Sequence, residues 1–125
     1  MKTLVSVLIY SMTSNNSEIQ LIVSNSAMEL NTDLQLKVFK QIEKDANMIG
    51  EEYVVDETQN LLSWWNQLLE FLTELIEFGD VRNLLYRIDV SEVKIRQIGT
   101  LTIQDIGILV VKRELEKVLL REKYS

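Results

Sequence analysis

The sequence predicts a mainly α protein: a small bundle of four to five helices over residues 28–125, preceded over residues 1–27 by a β-hairpin or a disordered extension. Three observations carry that expectation. Apolar residues recur at helical spacing through most of the chain after Met28, no proline stands anywhere to break a helix, and the first 27 residues differ in composition from the rest. A chain of 125 residues is one domain, long enough to bury about two thirds of its unfolded surface.

From Met1 to Ala27 the only charged side chains are Lys2 and Glu18. Two apolar runs, "TLVSVLIY" and "IQLIV", flank the polar stretch "SMTSNNSE". Both have strand length and β-favouring composition, which reads as a hairpin with a long loop. A secretory signal and a translation start at Met28 are the competing readings, and the mass of the native protein separates them.

The segment "NTDLQLKVFKQIEKDANMIG" reads as a helix over about 33–49. Thr32 and Gln35 have the spacing of a capping box. Val38, Phe39, Ile42, Ala46 and Ile49 share one face, and Gly50 suits a left-handed stop. The connector "EEYVVDE" follows, with Tyr53, Val54 and Val55 expected to lie extended across the core edge.

The next helix is expected from Asp56, with Gln59 three positions on, to Gly79. At 100° per residue its polar side chains Ser63, Asn66, Gln67, Glu70, Thr73, Glu74 and Glu77 form one stripe about 120° wide. Apolar side chains fill an arc of about 200°, twice what a surface helix needs. Such a helix has to be covered from two sides. Both tryptophans lie inside the arc, Trp64 with Leu68, Phe71 and Leu75, and Trp65 with Leu61, Leu72 and Ile76.

Asp80 can cap a short helix with Val81, Leu84, Leu85 and Ile88 on one face. The chain stops at "DVS" and restarts at Ser91, where Val90 and Ile95 form a hydrophobic staple and Gly99 closes the helix. In the last segment Thr102 and Asp105 make a capping box, with Leu101 and Ile106 as the staple. Ile108, Val111, Leu115, Val118 and Leu119 are expected to face the core, and Arg113, Glu114, Glu116, Lys117 and Arg121 the opposite side. The run "TIQDIGILVV" also suits two strands about Gly107, but the later periodicity and the capping box favour helix.

The chain has no cysteine and no histidine, which argues against disulfides, thiolate chemistry, His-ligated metals and Ser-His machinery. Its four glycines are scattered, so no phosphate cradle is present. The net charge of −6 disfavours nucleic acid as a partner. That charge is unevenly placed: residues 1–78 carry −8 and residues 79–125 carry +2. The basic C-terminal run "KRELEKVLLREKYS" is interleaved with glutamates, as a salt-bridged helix surface would be. "LLYRIDV", with Tyr86, Arg87 and Asp89, reads as a polar bridge across a helix break. A membrane role does not fit either, because the polar stripe of the tryptophan helix bears only negative charge.

These features lead to a small acidic, soluble, cytoplasmic protein that works by protein–protein association, as a homodimer first and otherwise with another protein, and without cofactor or catalytic residues. The apolar arc supplies the expected interface: Trp64, Trp65, Leu68, Phe71, Leu72 and Leu75. The alternative is a metal-dependent enzyme using carboxylates alone, with Glu70 and Glu74 as ligands.

Overall fold

The computed structural model describes residues 31–124, and the expected hairpin over residues 1–27 lies outside them. Five helices make up the described residues: α1 (Thr32–Met48), α2 (Leu61–Phe78), α3 (Val81–Ile88), α4 (Glu92–Arg96) and α5 (Ile103–Tyr124). A 3₁₀ turn, Ile98–Thr100, joins the last two. Among the described residues there is no strand, so "TIQDIGILVV" is helical.

The starts of α1 and α2 differ from expectation, and both differences have local causes. Asn31, not Thr32, caps α1, accepting a hydrogen bond from Leu34 N at 2.9 Å. Gln35 is only 8% exposed, turned toward the interior, and does not return to Thr32. Asp56 does not open α2, because its carboxylate accepts from Thr58 N (3.0 Å) and Thr58 Oγ1 (2.6 Å) in a local turn. The helix begins five residues later, where Asn60 accepts from Ser63 N at 3.1 Å.

The other boundaries follow the sequence signals. Asp80 caps α3 through Asn83 N, and Ser91 caps α4 through Lys94 N. Thr102 Oγ1 accepts from Asp105 N at 3.1 Å while Asp105 Oδ2 accepts from Thr102 N at 3.2 Å, closing the box at α5. Gly50 takes the left-handed conformation after α1, with φ of 86°. Asp89 does the same after α3 at φ 75°, and Arg113 grips it twice, through its carbonyl (3.0 Å) and its carboxylate (2.9 Å). Gly99 sits within the 3₁₀ turn and does not close α4, which ends at Arg96.

Helix α2 is sandwiched, as the width of its apolar arc requires. On one side Trp64 packs near Phe39 of α1, ring centroids 5.8 Å apart. On the other, Trp65 and Leu69 lie against Gly107 of α5. Helices α1 and α5 run antiparallel, pairing Lys37 with Glu122, Gln41 with Arg121 and Asp45 with Lys117. Helix α3 closes one end, touching α1, α2 and α5. The connector between α1 and α2 is held from both sides, Val55 N donating to Glu43 Oε1 (2.7 Å) and Gln67 Nε2 donating to the Val54 carbonyl (2.7 Å). Tyr53 and Val55 point inward at 3% exposure and Val54 outward at 68%, the alternation of an extended strand-like segment.

The core face of α5 is rotated from the expected one. Leu119 is exposed, while Glu114, expected in water, is fully buried at 0%. Glu114 lies three residues after Val111 and four before Val118, so helical spacing places it within the arc they define.

Candidate functional site

All six side chains expected at an interface are core residues of a single chain. Trp65, Leu68 and Leu72 are wholly buried, and Trp64, Phe71 and Leu75 nearly so. Trp64 Nε1 donates to the Asp56 carbonyl at 2.9 Å, and the Phe71 ring meets Tyr53 at 4.6 Å. The arc they form is covered by α1, α5 and the connector, so no second copy is required to bury it.

What α2 offers the outside is its polar ridge. Glu70, Thr73, Glu74 and Glu77 are exposed, and among the described residues no cation pairs with these three glutamates. Shallow grooves flank the ridge on both sides. One, of about 290 Å³, runs against the connector and is lined by Glu52, Val54, Gln67, Glu70 and Glu74. The other, of about 660 Å³, runs toward the start of α5 and shares Glu70 and Glu74. Phe78, one turn beyond Glu74, is 86% exposed, and Val54 stands exposed at the far end of the first groove. The face therefore joins unpaired carboxylates with two large apolar anchors.

A second constellation is internal. Lys117 Nζ lies 3.0 Å from Asp45 Oδ2, 2.9 Å from Glu114 Oε1 and 3.3 Å from the Ile88 carbonyl. Asp45 is 2% exposed and Glu114 0%. Gln41 Nε2 donates to Asp45 Oδ1 at 3.3 Å, and the Arg87 guanidinium stands 3.5 Å from the same oxygen. Neither Glu114 oxygen receives a well-aligned hydrogen bond; the ammonium is close but poorly directed. Burial pushes the Glu114 carboxyl up to about 8, and the neighbouring Asp45 carboxylate pushes the same way, against the pull of Lys117. Asp45 is held below the ordinary carboxylate range: burial works to raise it, but its polar neighbours Glu114, Lys117 and Gln41 outweigh that.

Sequence reasoning passed over Asp45 and misplaced Glu114 and Lys117. The available signal was positional: Asp45 falls seven residues after Val38 and three after Ile42, at the border of the apolar face of α1. Among the described residues no group of three or more acidic side chains could hold a metal ion, so Glu70 and Glu74 are not brought together with a third ligand. No helix among them is long and apolar enough to cross a membrane. No protein family, curated protein or solved structure matches the chain.

Proposed function

We propose that the protein is a soluble, cytoplasmic association module whose outer α2 face, Val54, Glu70, Glu74, Glu77 and Phe78, receives a basic surface of another protein. The observation that carries this reading is the pairing of three carboxylates that have no cation partner among the described residues with a phenylalanine 86% exposed on the same ridge. Carboxylates steer and select a cationic partner, and an exposed aromatic anchor supplies the buried contact at the centre of an interface.

The same charges bear on the homodimer. A two-fold symmetric contact through this ridge would oppose Glu70 and Glu74 of one copy to like charges of the other. A head-to-tail contact would instead bring the ridge to a basic surface of the second copy, such as the groove lined by Lys94 and Lys112. A basic partner of different sequence is therefore the preferred occupant.

The test compares proteins retained from the native source by the wild type, by Glu70→Lys/Glu74→Lys with Phe78→Ala, and by Lys112→Glu as a control on another face. A retained partner lost in the α2 variants and kept by the control supports the reading. Identical retention by all three overturns it. Light scattering on the same proteins reports the head-to-tail alternative, which the Lys112→Glu change would weaken.

A further inference from the structure

The seam between α1 and α5 contains two buried carboxyl groups and one ammonium. Because Asp45 Oδ2 and Glu114 Oε1 both lie within 3.0 Å of Lys117 Nζ, the two oxygens are less than about 6 Å apart. Both belong to residues at or below 2% exposure. Two ionised carboxylates at that separation, out of water, repel strongly, and one lysine does not offset the desolvation of both.

The groups facing the pair are few. From α1 come Asp45 itself and Gln41, whose Oε1 accepts from Arg121 Nη1 at 2.8 Å. From α3 come the Arg87 guanidinium, on the Asp45 side, and the Ile88 carbonyl. From α5 come Glu114 and Lys117. The buried side chains of α2 carry no titratable or charged group; their only polar atoms are the indole N–H of Trp64, which donates to the Asp56 carbonyl, and that of Trp65. Glu114 thus has two oxygens without an aligned donor, beside a carboxylate that can accept a hydrogen bond.

We propose that Glu114 is a protonated carboxylic acid in the native fold, donating to Asp45, and that this proton forms a pH-sensitive latch between α1 and α5. With the proton in place, Glu114 is neutral, its hydroxyl has an acceptor, and Asp45 keeps its charge opposite Lys117 and Arg87. Losing it strands a second negative charge in the seam. Glu114 binds its proton more tightly when folded than at its ordinary value of 4.5, so the stabilisation is complete below that value. It is lost as pH rises through the folded value, about 8.

Glutamine is a neutral near-isostere of the protonated acid. The experiment measures urea unfolding of the wild type and Glu114→Gln from pH 5 to pH 9. The ratio of their unfolding constants is expected to move about tenfold per pH unit over the window between 4.5 and about 8, with the wild type losing ground as pH rises. A ratio constant over that range overturns the proposal. A carboxyl-carbon NMR titration of the folded wild type gives an independent answer, including the case in which Glu114→Gln fails to fold. A Glu114 midpoint near neutrality or above supports the latch, and one in the ordinary glutamate range sinks it.

Discussion

A β-carbon added at Gly107 would stand 2.7 Å from Cη2 of the Trp65 ring. The same atom would meet Trp65 Cζ3 at 2.9 Å and Leu69 Cδ2 at 3.0 Å, distances at which neighbours have to move. Trp65 is wholly buried and its indole is a rigid plate, so the space cannot be found cheaply. Here the absence of a side chain lets α2 and α5 approach.

Gly107→Ala is therefore expected to destabilise the protein. Alanine gains about 1 kcal/mol over glycine in a helix interior. Overpacking against a large ring costs about 1–3 kcal/mol. The difference leaves a net loss of up to about 2 kcal/mol in urea unfolding. In a Trp65→Phe background the loss should shrink, since the smaller ring vacates the colliding atoms. An additive double variant would show that the ring is not the obstacle.

Lys117→Met should be costly near neutral pH, by about 3 kcal/mol, because it leaves Asp45 and Glu114 with Arg87 alone as nearby cation. Adding Asp45→Asn to Lys117→Met removes the stranded charge and should recover a substantial part of that loss. Unfolding midpoints of the two variants at pH 7 make the comparison.

Asp45 governs the acid side of the stability profile. Its carboxyl is held below the ordinary value of 3.8, so its contribution is present above that value and is lost as pH falls through the lower, folded one. Asp45→Asn should consequently flatten the acid limb below about pH 4 relative to the wild type. Parallel acid limbs in the two proteins would count against this role.

Capping substitutions separate the observed helix starts from the expected ones. Asn31→Ala and Asn60→Ala should each cost about 1 kcal/mol, and Thr32→Ala and Asp56→Ala less as helix-cap losses, since neither of those side chains caps a helix. Thr102→Ala should also cost about 1 kcal/mol, because its hydroxyl accepts from Asp105 N. Thermal denaturation of this set orders the caps directly.

The helical architecture was readable because it rests on short-range information. The wide apolar arc of α2, the α3 face of Val81, Leu84, Leu85 and Ile88, and the reciprocal box of Thr102 and Asp105 all lie within a few turns of chain. Where the reading slipped, two local signals competed. Asn31 stands beside Thr32, and the Asp56 turn with Thr58 absorbs the carboxylate that would otherwise have capped α2.

The candidate sites were a different matter. The six residues offered as an interface, among them Trp64 and Trp65, are buried within one chain, and nothing local says whether the cover of such an arc is α1 and α5 or another molecule. Likewise Asp45 and Glu114 look like surface charges one at a time, 69 positions apart in the chain.

By itself, then, the sequence determined the helices, the apolar faces of α1, α2 and α3 and the requirement that α2 be sandwiched, because helical periodicity and caps act over a few residues. Only the tertiary structure decided what fills the sandwich, and that Glu114 rather than Leu119 turns inward on α5. Burial of a charge depends on a partner from a distant segment: Lys117 satisfies Asp45 only once α5 has folded back antiparallel onto α1.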